Sequence, residues 1–137
     1  CFPVYALSRQ ITALYRPYLS KLDLTYPQYL VMLVLWEHET ICVGKIGELL
    51  WLDSGTLTPL LKRMEENGLL KRTRSSEDER MVLIHSTEKG KELKNQAQVL
   101  PEILKKELES EEGNLSDLRE QFNQLLSIIT TKCKNKI

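Results

Sequence analysis

The sequence predicts a mainly α-helical fold with a small β-wing, a winged helix-turn-helix, and three stretches carry that expectation. Residues 52–84, LDSGTLTPLLKRMEENGLLKRTRSSEDERMVLI, read as a short helix with hydroxyls at its start and basic residues further along, then Gly68, then two apolar strands flanking the polar tip SSEDER. Residues 25–36 join a Thr-x-x-Gln helix start to the unbroken apolar run YLVMLVLW. Both ends of the chain, 2–22 and from Thr87 onward, carry helical apolar spacing. A helix followed by a hairpin of this size presents one helix to the major groove and a flexible arm beside it.

Val4, Leu7, Ile11, Leu14 and Tyr18 space a first helix over 2–22, broken at Asp23. Pro17 is expected to bend or end it late, because proline removes a backbone donor. Thr25 caps the second helix, Gln28 closes a capping box and Pro27 sits in the first turn. The apolar run behind that cap fits a buried strand or a buried helix; the cap, the Leu and Met content and the length through His38 decide for helix. A helix apolar on nearly all sides belongs at the centre of a fold.

Residues 43–50, VGKIGELL, form a short amphipathic helix with Ile46, Leu49 and Leu50 expected inward. The helix after it has two candidate starts: Asp53 as cap, or Thr58 as cap with Pro59 at the first helical position. A start at Ser54 is preferred, with local distortion at Pro59, and the stop is Asn67-Gly68. Strands 69–74 and 81–86 pair across the tip 75–80. Thr87 then caps a long helix to about Glu109, kinked at Pro101. A polar loop at 111–114 and a last amphipathic helix at 116–134 complete the chain.

Bulk composition narrows the function classes. With 42% hydrophobic and 28% charged residues among 137, the chain is ordinary for one globular domain or one protomer of an intertwined dimer. Its longest apolar run, at 29–36, is too short to span a bilayer. Three cysteines, Cys1, Cys42 and Cys133, share no metal-like spacing, and neither His38 nor His85 has a second ligand nearby in sequence, so no metal site and no cofactor are expected. An odd cysteine count without a signal peptide points to reduced thiols in the cytoplasm. The chain opens on Cys1 rather than Met, and further residues are expected upstream.

Charge is the feature that speaks against nucleic acid. Nineteen basic residues balance nineteen acidic ones, whereas DNA binders usually carry a basic excess. Any positive surface is therefore local. At the start of the helix after Asp53, Ser54, Gly55, Thr56 and Thr58 add donors without bulk to amides that already favour phosphate. Lys62 and Arg63 lie further along it, Arg74 ends the first wing strand, and Arg80 ends the tip, where it can enter a narrow minor groove. Asp78 is read as an organiser that braces a basic residue or fixes the turn. Glu65, Glu66 and Glu77 must point away from phosphate. A protein-docking module is the other reading of such a helix-plus-hairpin.

These residues resemble the MarR family of bacterial transcription regulators, in which a D-x-R wing motif is characteristic, here Asp78-Glu79-Arg80. The similarity is closer to the organic-hydroperoxide resistance regulators (the OhrR type) over 24–39, 52–69, 77–84 and the opening CF-x-x-YA-x-SR, and it weakens after about Gln98. The resemblance implies an intertwined homodimer: 1–22 as dimerisation and sensor helix, 23–86 as the DNA-binding domain, 87–137 as dimerisation helices, with two wings facing an inverted-repeat operator in double-stranded DNA. It implies that Cys1 is the peroxide-sensing thiol, with Tyr15 and Tyr26 hydrogen-bonding it from the other subunit and Tyr5 in the same neighbourhood.

The chemistry agrees with that assignment. A thiolate is the nucleophile toward peroxide, and a helix start and donating phenols both favour it. The sulfenic acid then condenses with another thiol, for which a low-molecular-weight thiol or Cys133 of the partner are candidates; Cys133 as an idle tail thiol is preferred. Cys42 reads as a packed small residue. Pro3 departs from an ideal helix beside the sulfur unless the helix begins there. The expectation is a non-enzymatic repressor released by organic hydroperoxide. The competing readings are a repressor released by a phenolic or other small ligand, and a thiol peroxidase, for which no activating Thr/Arg constellation is present.

Overall fold

The computed structural model describes residues 1–108 and 115–134. They fall into two compact units, Cys1–Leu100 and Pro101–Ile137. In the first, helix α1 (Phe2–Leu19) starts directly after Cys1, so Pro3 lies in the first turn, where a missing N–H leaves no bond unmade. The helix outlasts Pro17 by two residues and passes into a 3-10 turn (Ser20–Leu22), closed by Asp23 in the left-handed region at φ 54°.

Helix α2 (Tyr26–Glu37) opens on the expected capping box, in which the Thr25 N–H donates to Gln28 Oε1 at 2.8 Å. Tyr29, Val31, Met32, Val34 and Leu35 are buried on it, and Leu19, Ile46, Leu57, Leu61, Met64, Leu69, Leu70 and Ile84 are among the core residues around it. Each such side chain contributes roughly 1.5–3 kcal/mol by leaving water. The central placement expected for this helix is what the structure has.

A short strand follows that the sequence reading missed. β1 (Thr40–Cys42) leads directly into α3 (Val43–Leu50), and α4 (Ser54–Glu66) follows a turn at Trp51. β2 (Leu70–Arg74) and β3 (Val82–Ser86) form the hairpin, and the sheet order is β1-β3-β2, all antiparallel. Ile41 pairs with Ile84, and Arg72 pairs with Ile84 from the other side. His85 fastens the three strands with its ring: Nδ1 lies 3.0 Å from Thr40 Oγ1 and Nε2 2.9 Å from Thr73 Oγ1. Three residues are too few to show alternation, so β1 exists through its pairing rather than through its own pattern.

Two further expectations need correction. Leu49 is 46% exposed, not inward; an eight-residue helix turns only Ile46 fully into the core, with Leu50 half-buried. The long helix from Thr87 is two helices, α5 (Glu88–Ala97) and α6 (Leu100–Leu108). Pro101 does not kink a continuous helix; it sits second in α6, where its ring is tolerated. In the second unit α6 is followed by α7 (Leu115–Lys134), whose Leu118, Phe122, Leu125, Leu126, Ile128 and Ile129 are exposed. The loop expected at 111–114 and Glu109 lie outside the described residues.

Candidate functional site

α4 has one buried and one open face. Leu57, Leu61 and Met64 are buried, while Ser54, Gly55, Thr56, Thr58, Lys62 and Arg63 are exposed. Asp53 settles the start of the helix in favour of Ser54: its Oδ1 accepts from the Thr56 N–H and its Oδ2 from the Thr56 hydroxyl, both at 2.9 Å. Those bonds hold its carboxyl below the usual range, the hydroxyl bond contributing most. Thr56 is thus committed to the cap rather than free for a phosphate. The hydroxyls of Ser54 and Thr58 make no hydrogen bond among the described residues. Pro59 is accommodated inside the helix, where the carbonyl it would crowd belongs to Gly55.

The wing is held at both ends. At its root, Arg72 donates through its backbone N–H and its Nε to the two oxygens of Glu65, each at 2.9 Å, joining the end of α4 to β2. The backbone bond first, then the guanidinium, holds the Glu65 carboxyl below its ordinary value. Glu65 is therefore neutralised rather than merely turned aside. A group depressed in the folded state adds stability above the ordinary carboxylate range and loses it as pH falls through its lower folded value. Glu65→Gln, which keeps the shape, should lower Tm by roughly 2–4 °C at pH 7, about a third of the pair being exposed. Melting curves of both proteins should converge only as pH falls below the lowered folded value of Glu65; a gap that persists in strong acid would remove the ionic explanation.

At the tip, the Ser75 hydroxyl accepts from the Glu77 and Asp78 amides at 3.2 and 3.4 Å, and Asp78 Oδ1 accepts from the Arg80 N–H at 2.9 Å. The turn closes with the Met81 N–H on the Asp78 carbonyl and the Ser75 N–H on the Met81 carbonyl, both 2.9 Å. Asp78 is the expected organiser, but it braces the backbone of Arg80. The Arg80 guanidinium has no ion pair among the described residues and, like Arg74, is exposed.

The thiol and the phenols are far apart within one chain. Cys1 is exposed at the cap of α1, with Tyr5 one helical turn on and 61% exposed. Tyr15 lies fourteen residues from Cys1 along the same helix, about 20 Å at 1.5 Å per residue. There it meets Tyr26, ring centroids 5.0 Å apart and edge-on. Burial raises the pKa of Tyr15, and burial followed by the neighbouring Tyr15 raises that of Tyr26. Both phenols stay neutral O–H donors through the physiological range.

Sequence reasoning missed two members of this cluster. Tyr29 is 2% exposed, lies 5.8 Å from Tyr15 and 6.2 Å from Trp36, and is pushed up to about 12, mainly by burial. Tyr26, Tyr29 and Trp36 recur at i, i+3 and i+10, one face of a helix, a signal present in the run but read only as core. Cys42 is half-buried at the cap of α3, as a packed small residue should be. The Cys133 side chain lies outside the described residues. Beside Trp36, between the end of α2, β1, β3 and α5, lies a cleft of about 620 Å³ that includes His38, His85, Lys91 and Lys94.

Known proteins match this arrangement across the chain. The family model "Transcriptional regulator SarA/Rot" matches residues 13–97. The organic hydroperoxide resistance transcriptional regulator of Bacillus subtilis (strain 168) is 61% identical over 101 residues, 74% of this chain and 69% of that protein. The HTH-type transcriptional regulator TtmR of Methylorubrum extorquens is 54% identical over 74% of this chain, which spans about half (52%) of its length. Among solved structures, reduced AbfR bound to DNA, a Staphylococcus epidermidis protein, is 34% identical, with a TM-score of 0.82 over 97% of this chain and 91% of that one. Its disulfide form superposes with a TM-score of 0.68 at 33% identity, over 92% and 88% of the two chains. The open helix face, the braced wing and these relatives place the chain in the MarR family of transcriptional regulators, within the branch of the organic-hydroperoxide resistance regulators.

Proposed function

We propose that two copies of this chain form a repressor that grips an inverted-repeat operator and lets go when organic hydroperoxide oxidises Cys1. The observation that carries this reading is the separation of the parts. Tyr15 and Tyr26 form a ready pair of neutral donors about 20 Å along α1 from the chain's own thiol, so the sulfur they serve is a partner's Cys1. In support, Phe2, Val4, Tyr5 and Leu7 around Cys1 and the apolar stripe of α7 are exposed in the single chain, as faces that a second copy would cover. Residues 1–22 and 87–137 then act in dimerisation and sensing, and 23–86 read the DNA through Ser54, Gly55, Thr58, Lys62, Arg63, Arg74 and Arg80. Thr56 contributes by holding the cap.

The chemistry needs no cofactor. The Cys1 thiolate, stabilised by two donated phenol hydrogens, attacks the terminal peroxide oxygen. The O–O bond breaks, sulfur becomes a sulfenic acid, and the alkoxide leaves and takes a proton as the alcohol. A low-molecular-weight thiol then condenses with the sulfenic acid, forming a mixed disulfide and water. The added bulk and the lost phenol bonds shift the spacing of the two wings. The solved structures of AbfR include a reduced form bound to DNA, a disulfide form and an overoxidized form bound to DNA. A thiol in several oxidation states in a DNA-binding relative supports a redox-sensing role, and disulfide formation rather than over-oxidation is the step assigned to release. One oxidation per signal makes the chain a sensor rather than a turnover enzyme, and a thiol kept reduced between signals fits the cytoplasm.

A second reading, release by a phenolic or other small ligand, finds room in the cleft beside Trp36. Operator binding by wild type and Cys1→Ser, with and without cumene hydroperoxide, separates the two. Wild type should lose more than tenfold in affinity on oxidation, and Cys1→Ser should lose none. Equal release of both proteins would overturn the thiol mechanism.

A further inference from the structure

We propose that Trp36 is the positioning residue through which the phenol cluster acts on the root of the wing, a step that rests on the sensing role given to Cys1 above. The tyrosines and the wing occupy different parts of the unit, and α2 is the rod between them. It is buried on nearly all sides and spans about 15 Å from Tyr26 to Trp36. Tyr29 packs between Tyr15 and Trp36 at centroid distances of 5.8 and 6.2 Å, so a change in what the phenols bind is felt by the indole through a buried ring.

The indole leaves this apolar chain by one polar bond. Its Nε1–H donates to the Gly90 carbonyl at 2.8 Å, and Lys94 Nζ donates to the Trp36 carbonyl at 3.0 Å. Gly90 lies in the first turn of α5, and that turn is clamped to the joint between α4 and β2. The Thr87 N–H donates to the Leu69 carbonyl at 3.2 Å and the Thr87 hydroxyl to the Gly68 carbonyl at 2.6 Å. The place a Gly90 Cβ would take is filled by the Leu69 carbonyl oxygen. Movement of α2 is thereby handed, through the indole N–H, to the residues that set the angle between recognition helix and wing. Trp36 also lines the open cleft described above, so its outer edge has room to shift where a fully packed ring would not.

The test compares full-length wild type with Trp36→Phe, which keeps an aromatic ring and loses the N–H. Loss of Cys1 thiol to cumene hydroperoxide should proceed at the wild-type rate, and reduced operator affinity should stay within about threefold. The ratio of oxidised to reduced Kd should fall roughly three- to tenfold, the worth of one hydrogen bond. A purely structural role would move Tm and both Kd values together and leave the ratio intact, which overturns the proposal. If wild type itself keeps its operator after oxidation, the sensing reading falls with it. A second measurement needs no change at Trp36: in Trp51→Phe, Trp36 is the sole tryptophan, and its emission should shift on oxidation of Cys1. Unchanged emission alongside normal operator release would overturn the role.

Discussion

Replacing Gly90 by alanine should cost the winged unit on the order of 3 kcal/mol and lower Tm by roughly 10 °C. Two effects oppose each other at this position. Alanine favours a helix over glycine by about 1 kcal/mol, and α5 is a regular helix there. Against that, the new Cβ would drive into the Leu69 carbonyl oxygen, with Ser86 Oγ at 2.8 Å and Met32 Cε at 3.1 Å. A backbone carbonyl already accepting from the Thr87 N–H cannot retreat without breaking that bond, and the Trp36 bond to the Gly90 carbonyl would go with it. The clash therefore outweighs the propensity. Gly44 supplies the contrast in the same chain, since nothing lies within 4 Å of its would-be Cβ. Gly44→Ala should be neutral or stabilising by about 0.5–1 kcal/mol. Thermal melts of the two variants should thus move in opposite directions. A Gly90→Ala protein as stable as wild type would mean that the α5 turn is not seated on the wing joint at all.

That seat is also where sequence reading reached its limit. Local signals were legible because their causes are local. Thr25 and Gln28 close a box within four residues, Thr87 caps the Gly90 amide, and Asp53 caps α4 three residues from the amide it binds, although Pro59 speaks for Thr58. The wing was legible in its strands because each is five residues long with a polar tip between. What could not be read comes from contacts distant in the chain. β1 is defined by β3 some forty residues later, and the Arg72–Glu65 tie depends on how α4 meets β2. Proline disturbs either a helix interior or a boundary, and spacing alone does not say which, so the kink expected at Pro101 is a helix start instead.

For the candidate site the division is similar. The assignment of Cys1, Tyr15 and Tyr26 rests on resemblance alone, and the structure adds only where each of them lies. That the thiol and phenols of one chain stand about 20 Å apart follows from helix rise once α1 is known to be unbroken. The contacts of Tyr29 and Trp36 with the phenol pair and with Gly90 are not legible in the run, because an aromatic there has the same pattern whichever rings or carbonyls it meets. Thr56 carries a contact that its position at a helix start does not reveal: its hydroxyl donates to Asp53 in the helix cap.

Arg80→Ala should weaken operator binding by roughly 30-fold or more with little change in Tm. The size follows from the neutral balance of nineteen basic and nineteen acidic residues, which leaves no net basic excess to supply affinity. Binding must then rest on a few placed cations, and a dimer presents each of them twice, so a loss of about 1 kcal/mol per wing doubles. The backbone should not notice the change. Asp78 holds the Arg80 amide and Ser75 holds the turn, whatever side chain residue 80 carries. The exposed guanidinium has no ion pair among the described residues, so none is broken. Salt is the discriminating variable, because each phosphate neutralised contributes about one to the slope of log Kd against log salt. Removing one cation from each of two wings should lower that slope by about two, and Arg80→Lys should restore most of the slope while recovering less affinity at a narrow groove. An Arg80→Ala protein with wild-type affinity and slope would move the weight of DNA binding from the wing to the open face of α4. The neutral chain would then grip DNA through Lys62 and Arg63, and wing spacing could no longer be what oxidation controls.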